Sequence, residues 1–377
     1  MIPSRVLYLS IDLFAHGGIQ RYSRYEIRAL NAICPGGVRV CSFGQRVAHG
    51  FDDPVPLAVI GRGRGWIARA IFSIETMWHA LRWRPDLIIC DHVNLAPLAR
   101  LLGAFPGARY WVNVYAIEVW NALPLGRRLA LRRADRVVSD CEFTRQYLQQ
   151  AYPELAGRVD LLRDCVDTTR FTPDHDDAVE EPPSRPLRLL TVSRLLPGRS
   201  KGHAAVLTAM SLLADRGVSV TYTIGGDGPD RGRLERLATT LRVKERVTFL
   251  GRVPEADLPA TYRGCDVFVL VSAFTLGALP QGEGIPLVVL EAQASGKPAI
   301  TSRCDGSAES IVDGETGFLV RPEDPEDIAD AVERLAEAPL MRRAMKGAAR
   351  RHVEQTFAFT VFTDALRQIL STQRPGA

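Results

Sequence analysis

Glu283-Gly-Ile-Pro-Leu-Val-Val-Leu-Glu291 places two carboxylates on either side of a Gly-Pro break and an apolar run. Pro286 suits the first turn of a helix, because its missing N–H costs nothing there and its φ is already helical. We therefore expect a helix that begins near Pro286, with Glu283 in the loop before it and Glu291 inside it. The free backbone N–H groups at such a helix start favour phosphate or other anionic oxygens.

The neighbouring residues place this helix in a sheet. The apolar strand Asp266–Val271 precedes it, and the strand Pro298–Thr301 follows it. The order strand, loop, helix, strand is the parallel unit whose ligands bind beyond the carboxyl ends of the strands. A carboxylate beside an anion site is unexpected unless it accepts hydrogen bonds from hydroxyls, as on a sugar or a ribose. A nucleotide sugar supplies both phosphate and hydroxyl groups.

Short β-rich runs alternate with helical patterns along the whole chain, which predicts parallel sheets covered by helices on both faces. Residues 174–186 are acidic, proline-rich and without periodicity, so they form the predicted linker. The other predicted strands are Val6–Ile11, Val38–Phe43, Leu87–Cys90, Tyr110–Val114 and Val137–Ser139 before the linker, and Leu187–Val192, Ser219–Ile224, Val247–Leu250 and Gly317–Val320 after it.

These elements predict an α/β protein of two Rossmann-like domains, each with a doubly wound parallel sheet, that face each other across a cleft. A chain of 377 residues is long enough for two cores. We place the first domain at 1–175 and the second at 186–356, followed by a helix within 357–377 that leaves the second domain.

Composition excludes several classes of protein. A hydrophobic content of 46% and a charged content of 24% are typical of a soluble globular protein. The sequence has no run of eighteen apolar residues, and its first residues indicate a strand rather than a signal peptide. Seven scattered cysteines favour reduced thiols and a cytoplasmic location. A net charge of +4, without a stacking or groove-reading motif, argues against nucleic acid as a partner.

The stretch 283–291 resembles that of the retaining glycosyltransferases of family 4, which have the GT-B architecture. The resemblance continues through Asp305-Gly-Ser-Ala-Glu309 and Asp313-Gly-Glu-Thr-Gly-Phe-Leu-Val320. The extended block is specific to this family. The spacing of the two glutamates alone is weak evidence, because Glu315 and Glu323 have the same spacing. The resemblance implies that the helix in 357–377 returns to pack on the first domain.

Two basic residues follow the first strand of the second domain. Arg194 comes directly after the strand that ends at Val192, and Lys201 comes just before the next helix. They resemble the strand-end arginine and the Lys-Gly pair of family 4. We expect them to hold the leaving diphosphate, arginine as a bidentate fork and lysine as a point charge. The alternative is a surface ion pair for Arg194 and a helix-start lysine for Lys201.

The resemblance implies two further groups of contacts to the donor around the 283–291 stretch. Glu291 would accept from the ribose hydroxyls, and Glu283 from hydroxyls of the transferred sugar. Glu283 could instead cap the helix, and the two roles are compatible. We count Glu283 with Arg194 and Lys201 as catalytic, and assign donor contacts to the backbone of Gly284, Ile285, Pro286 and Leu287.

Three glycines and one apolar residue complete the expected donor site. Gly17 and Gly18 follow the first strand and open a helix, so their backbone N–H groups can approach a phosphate closely. Gly226 and Val253 match the turn and the apolar residue beside the base in family 4. Each of these features is also found as an ordinary structural turn.

One segment departs from the family pattern. Tyr115 stands where family members carry a histidine that contacts the transferred sugar, and Ala116 replaces a glycine. Tyr115 can still donate a hydrogen bond from its phenol, but its side chain is longer and stiffer than that of the histidine. We place Tyr115 and Glu118 on the acceptor side.

We expect no cofactor and no metal site, because no Asp-x-Asp pair stands at a strand end; Asp174-His-Asp176 lies in the linker. The first domain carries basic and aromatic clusters that suit a peripheral contact with an anionic membrane. The alternative is that the arginines are solvated and the tryptophans lie in the core. The clusters are Arg62–Trp66, Trp78, Arg82–Arg84, and a predicted helix over 126–134 on which Arg128 and Arg132 share one face.

The resulting hypothesis is a retaining, metal-independent glycosyltransferase. It would move a sugar from a nucleoside diphosphate to a hydroxyl acceptor, lipid-linked or otherwise, in polysaccharide, glycolipid or secondary-metabolite assembly. The alternative is a donor-binding GT-B subunit with weak catalysis, which the change at Tyr115 and Ala116 favours. A GT-B epimerase or phosphorylase is a third candidate, but phosphorylases need a lysine-bound pyridoxal cofactor and no matching site is evident.

Overall fold

The computed structural model describes residues 2–15, 17–44, 55–63, 65–105, 108–174, 185–198, 201–278 and 280–372. The chain divides into two compact units, one of Met1–Cys165 with Phe359–Ala377 and the other of Val166–Ala358. From the sequence we placed these divisions at residues 175 and 356. Most of the predicted linker, residues 175–184, lies outside the described part of the chain.

The secondary structure alternates strands and helices throughout. Up to Cys165 the elements are β1 Val6–Ser10, α1 Gly18–Ile33, β2 Val38–Ser42, β3 Leu57–Ile60, α2 Gly65–Trp83, β4 Leu87–Cys90, α3 Ala96–Leu102, β5 Arg109–Val114, α4 Leu125–Arg133, β6 Arg136–Ser139, α5 Glu142–Ala151 and β7 Val159–Leu161. From Val166 they are β8 Leu187–Val192, α6 His203–Asp215, β9 Val220–Gly225, α7 Arg231–Thr240, β10 Val247–Gly251, α8 Leu258–Arg263, β11 Val267–Leu270, α9 Leu287–Ala294, β12 Ala299–Ser302, β13 Gly317–Val320, α10 Pro325–Glu337, α11 Pro339–Thr356 and α12 Phe359–Ser371.

The first unit contains a parallel sheet with the strand order β3-β2-β1-β4-β5-β6-β7 over the residues described. Every residue of β1, β4 and β6 is buried, as expected for strands covered by helices on both faces. α12 belongs to this unit. Its buried residues Phe362, Leu366 and Leu370 recur every four positions, and the ring of Phe362 lies edge-on to Tyr22 of α1 at 5.5 Å. The helix therefore packs one apolar stripe on α1.

The second unit contains a parallel sheet with the strand order β10-β9-β8-β11-β12-β13. Its central pair is in register with Leu190 opposite Phe268. Residues of α6 and α10 close the core on one face, including Met210, Leu213 and Leu335. The architecture confirms the predicted α/β fold of two Rossmann-like parallel sheets.

Each sheet has one position where the strand order reverses. It lies between β1 and β4 in the first unit, and between β8 and β11 in the second. Ligands of open parallel sheets bind outside the carboxyl ends of the strands at such positions. A ligand site of the second unit is therefore expected at the loops after β8 and β11.

Candidate active site

The loops after β8 and β11 bring together a cation, a carboxylate and a hydroxyl that donates to that carboxylate. The ammonium of Lys201 forms an ion pair with Oε1 of Glu283, and Ser272 Oγ donates to the same oxygen at 2.8 Å. Both charged side chains remain partly accessible. Two residues that are far apart in the sequence therefore meet at the carboxyl edge of the second sheet.

A cavity of about 240 Å³ opens beside this ion pair. Arg194 and Lys201 line it, as does Arg233 from α7. The guanidinium of Arg233 makes a two-pronged ion pair with Asp230, both N–O distances being 2.7 Å. Three cations and one carboxylate thus surround the cavity, which favours an anionic ligand.

Arg233 and Gln281, which also line the cavity, were not predicted from the sequence. Arg233 lies in the first turn of α7, just after the Gly225-Gly226-Asp-Gly-Pro turn. A basic residue at that place was an available signal. Its distance from Arg194 depends on how α7 packs, which the sequence pattern does not give.

A buried hydrogen-bond chain supports the wall of the cavity. His203 Nε2 lies 2.8 Å from Ser193 Oγ, and its Nδ1 lies 3.0 Å from the hydroxyl of Tyr222. Burial lowers the pKa of His203 to about 4, so the imidazole is neutral at physiological pH. The chain therefore holds the residue before Arg194 without adding charge to the cavity.

The predicted base-side positions are neighbours in the structure. Gly226 N donates to Gly251 O at 2.7 Å, and an added Cβ on Gly226, whose φ is +146°, would lie 1.7 Å from Ser193 O. The Cβ position of Gly225 is 3.0 Å from Cγ2 of Val253. Gly226 thus packs against Ser193 at the end of β8, and Val253 lies beside Gly225. The contact of either residue with a base stays a prediction.

α9 begins one residue later than expected. It runs from Leu287 to Ala294 with Pro286 as its N-cap in an extended conformation, so Pro286 is not in the first turn. The missing N–H of proline costs nothing at the N-cap either. The side chains of Ile285 and Leu287 are buried, and Gly284 is partly exposed, so only backbone groups of this segment can serve a ligand.

Glu291 lies on the buried face of α9. It is only 1% exposed, and its Oε2 accepts a hydrogen bond from the hydroxyl of Tyr262 at 2.7 Å. Tyr262 is itself buried against Phe171 and Phe268. The carboxylate is therefore paired inside the second unit, and its predicted contact with ribose stays a prediction.

In the first unit, Gly17 is the N-cap of α1 and Gly18 is its first residue. Gly17 is extended, with φ 170°, and its carbonyl accepts from Arg21 N at 3.1 Å. His16, between these glycines and β1, lies outside the described residues. The structure places the two glycines after β1 as expected, and their phosphate contact stays a prediction.

The phenol of Tyr115 lies in the core of the first unit. Its ring packs edge-on against Tyr22 at 5.2 Å, and its hydroxyl is 3.5 Å from Nδ2 of Asn113. Burial raises the pKa of Tyr115 well above its ordinary value. The next residue, Ala116, has φ +26°, a conformation that favours glycine. An acceptor contact through Tyr115 would require the ring to leave this packing, so it stays a prediction.

Glu118 is engaged in the turn after β5. Its Oε1 accepts from Tyr115 N at 2.9 Å, and its Oε2 lies 2.6 Å from Nε2 of His92. His92 follows β4, the neighbouring strand, and its Nδ1 accepts from Asn94 N at 3.1 Å. Sequence reasoning missed His92, although an Asp-His pair directly after a buried strand was a usable signal.

α2 exposes an apolar stripe. Trp66 is 78% exposed and Trp78 is 62% exposed, so the alternative that placed these tryptophans in the core is wrong. Arg69 and Arg82 flank the stripe, and the guanidinium of Arg82 lies 5.7 Å from the Trp78 ring. We define the α2 stripe as the exposed residues Trp66, Ile67, Ile71, Ile74, Trp78 and Leu81.

α4 is less suited to a lipid surface than expected. The guanidinium of Arg128 is paired with Glu154 at 2.7 Å and lies over the ring of Tyr152. Arg132, on the same predicted face, is exposed. Within the described residues, no helix is long and apolar enough to cross a bilayer, and no cluster of three or more His, Cys, Asp or Glu side chains has the arrangement of a metal site.

Comparisons with known proteins bear on this site. The model of the glycosyl transferases group 1 family matches residues 174–352. The GDP-mannose-dependent alpha-(1-6)-phosphatidylinositol monomannoside mannosyltransferase of Mycolicibacterium smegmatis is 36% identical over 290 residues, which are 74% of this chain and 72% of that protein. The protein of the same name from Mycobacterium tuberculosis is 32% identical over 360 residues, 88% of this chain and 89% of its own length.

Solved structures support the same architecture. A sucrose-phosphate synthase from Thermosynechococcus elongatus superposes with a TM-score of 0.79 at 21% identity, over 97% of this chain and 98% of that one. At this identity the likeness shows the fold.

Proposed function

Because this chain belongs to the glycosyl transferases group 1 family and is a nucleotide-sugar-dependent glycosyltransferase with the GT-B fold, we propose that its donor is GDP-mannose. We further propose that the acceptor is a hydroxyl of a phosphoinositide-type glycolipid and that transfer retains the anomeric configuration. The names of the 36% and 32% identical relatives support the choice of donor and acceptor.

The cavity lined by Arg194, Lys201 and Arg233 supports the part of this proposal that concerns a nucleoside diphosphate as the leaving group. As the bond between the sugar C1 and the β-phosphate oxygen breaks, its electron pair and the growing negative charge move to the diphosphate. Preorganised cations stabilise that charge more in the transition state than in the ground state, which is the requirement for catalysis. The acceptor oxygen bonds to C1 on the face the diphosphate leaves, and its proton passes to a phosphate oxygen.

Glu283 complements this charge. In the structure its Oε1 already accepts from Ser272 and neighbours the Lys201 ammonium. When a diphosphate draws Lys201 towards it, the carboxylate is left to accept from sugar hydroxyls. A charged acceptor of this kind contributes roughly 1.5–3 kcal/mol per hydrogen bond.

The decisive experiment follows GDP release from GDP-mannose with and without a phosphatidylinositol mannoside acceptor. We expect GDP release to depend on the acceptor. We also expect the new linkage to be α, as read from the one-bond C1–H1 coupling constant of the transferred mannose in the NMR spectrum. Tight GDP binding without acceptor-dependent release would instead favour the donor-binding subunit, which the buried Tyr115 and the strained Ala116 make a concrete rival.

We propose that transfer needs no metal ion, since the side chains around the cavity supply the positive charge. Excess EDTA should leave the rate within about twofold of the untreated rate, because the cations of the site are covalent parts of the chain. The initial rate of GDP release, with and without chelator, measures this. A complete loss of activity that manganese restores would contradict it.

We propose that the α2 stripe and its flanking arginines hold the enzyme on an anionic membrane, where a lipid acceptor resides. The double variant Ile74→Ser with Trp78→Ser should bind vesicles at least about tenfold more weakly, because burial of each large apolar side chain contributes roughly 1.5–3 kcal/mol. Co-sedimentation with phosphatidylglycerol vesicles at physiological salt measures this.

Leu340→Ser is the matched control, since Leu340 is a large exposed apolar side chain on α11 of the other unit. Its binding should equal that of the wild type. Phosphatidylcholine vesicles should bind less than anionic ones, since each arginine near an anionic surface adds roughly 1 kcal/mol. Equal binding of the double variant and the wild type, or no binding by either, would rule out this surface.

A further inference from the structure

The loop after β12 is hydrogen-bonded directly to the backbone of Glu283. Asp305 is 2% exposed, and its Oδ2 accepts from Glu283 N at 2.8 Å. Its Oδ1 accepts from Ser307 N at 3.0 Å. One buried carboxylate therefore ties the loop before α9 to the 3₁₀ turn Gly306–Ser310.

The same two loops are joined in the opposite direction. Gly306 N donates to Glu283 O at 3.0 Å. A Cβ at Gly306 would lie 2.8 Å from the carbonyl carbon and oxygen of Gly284 and 2.9 Å from Glu283 O, which is too close for any side chain. The backbone N–H and C=O groups of Glu283 are thus both hydrogen-bonded, to Asp305 and to Gly306 respectively.

The partners of the Glu283 side chain lie on other loops. Lys201 approaches from the loop before α6, and Ser272 from the end of β11. These two contacts hold the carboxylate itself, whereas the hydrogen bonds with residues 305 and 306 fix the backbone that carries it. Burying a charged carboxylate costs free energy unless hydrogen bonds compensate, and the N–H groups of Glu283 and Ser307 supply that compensation to Asp305.

We propose that Asp305 is a positioning residue for Glu283, holding its main-chain N–H so that the carboxylate faces the ammonium of Lys201. This inference rests on the proposed function of Glu283 in sugar transfer. It assigns to Asp305 an effect on turnover that is larger than its effect on nucleotide binding, because the nucleotide phosphates are held by Arg194 and Lys201 instead.

Protonation of Asp305 should make turnover depend on pH, which gives a second test of its positioning role. The pKa of Asp305 is raised to about 7 in total, because burial and the charge of Glu283 raise it more than the N–H donors of Ser307 and Glu283 lower it. Glu283 is the charged side chain that acts on Asp305, and Lys201 is paired with Glu283. The adjacent thiol of Cys304 is also within reach of the charges of Arg303 and Glu323. Below pH 7 a proton occupies one oxygen and weakens one of the two backbone hydrogen bonds.

Activity and stability should respond to this proton in opposite directions. The turnover step that depends on Asp305 should be lost as the pH falls through about 7. The folded chain keeps the proton up to about pH 7, whereas the unfolded chain releases it near the ordinary value of 3.8. The contribution of Asp305 to the free energy of unfolding therefore falls as the pH rises from about 3.8 to about 7. Titration of Asp305 thus makes the folded chain more stable at pH 6 than at pH 7, so unfolding through this group would not explain a loss of activity at pH 6.

The test compares Asp305→Ala and Asp305→Asn with the wild type, using GDP-mannose turnover and GDP binding by calorimetry. We expect Asp305→Ala to lower kcat roughly 10–100-fold, as a misplacement of about 1 Å does, and to change the Kd for GDP less than about threefold. Asp305→Asn keeps an acceptor for Glu283 N, so it should lose less activity and show no step in kcat near pH 7.

Asp324→Asn is the matched control, because Asp324 also accepts from two backbone N–H groups, of Glu326 and Asp327, but caps α10 away from the cavity. It should leave kcat unchanged. Glu283→Gln is measured in parallel. If Glu283→Gln slows turnover and neither Asp305 variant does, this inference is wrong; if Glu283→Gln has no effect, the proposed site itself fails. Should Asp305→Ala unfold, the pH profile of Asp305→Asn decides.

Discussion

Replacing Lys201 by alanine is expected to lower kcat about 10²–10³-fold, the loss typical of removing one charge-stabilising donor from an active site. The ammonium of Lys201 lines the cavity and is paired with Glu283, so its removal takes away a cation and leaves that carboxylate facing the diphosphate alone. The electrostatic cost therefore has two sources. Steady-state GDP release from GDP-mannose measures it.

Arg194→Ala should give a loss of similar size, and Arg194→Lys should recover only part of it, because lysine lacks the bidentate fork. Lys244→Ala is a suitable control, since Lys244 belongs to the same unit and lies outside the cavity. Melting temperatures near the wild-type value would show that the variants fold. Unchanged turnover in both Arg194→Ala and Lys201→Ala would mean that the diphosphate binds elsewhere.

The second large effect is expected for Gly226→Ala. A Cβ at this position would lie 1.7 Å from Ser193 O, and the φ of +146° is one that side chains rarely adopt. Strain and overpacking together should destabilise the second unit by roughly 2–5 kcal/mol. The displacement would also move the strand end that carries Arg194, so GDP binding should weaken with it.

Gly314→Ala separates the two causes. Gly314 has φ +79°, but a Cβ there would meet no atom within 4 Å, so only backbone strain of about 1 kcal/mol is expected. Urea unfolding of both variants measures the difference. Equal losses of stability at the two glycines would show that the contact with Ser193 is not what makes Gly226 necessary.

The fold was largely predictable because buried parallel strands are continuous apolar runs. All predicted strands are present with ends within one residue, such as Leu187–Val192 and Gly317–Val320. The two strands not predicted, Leu57–Ile60 and Val159–Leu161, lie at the edges of the first sheet and are short. Val159–Leu161 is interrupted by Asp160 and so lacks a continuous apolar run, whereas Leu57–Ile60 is an apolar run as long as β4 that sequence reasoning missed.

The candidate site was predictable where it depends on strand order. Residues after neighbouring parallel strands share one edge, which is why Lys201 and Glu283 meet. Features that depend on side-chain packing were not predictable: Arg233 reaches the cavity through the placement of α7, Tyr115 turns into the core, and Glu291 pairs with Tyr262. A sequence pattern fixes which face of an element is apolar, but not the partner of each polar group.

The sequence pattern also does not reveal which charged residues are buried. Glu26 of α1 is fully buried, and its Oε2 accepts from Tyr8 and from Asn113, each at 2.7 Å. Burial raises the pKa of Glu26 to about 7. The helical pattern of α1 does not distinguish this glutamate from a solvated one, because its partners come from β1 and β5.

A crystal structure with GDP bound tests the central claim most directly. The cation-lined cavity predicts both phosphates within hydrogen-bonding reach, about 3 Å, of the guanidinium of Arg194 and the ammonium of Lys201. A diphosphate that lies well away from both side chains, with the cavity beside Glu283 unaltered, would contradict the assignment of this cavity to the departing nucleotide.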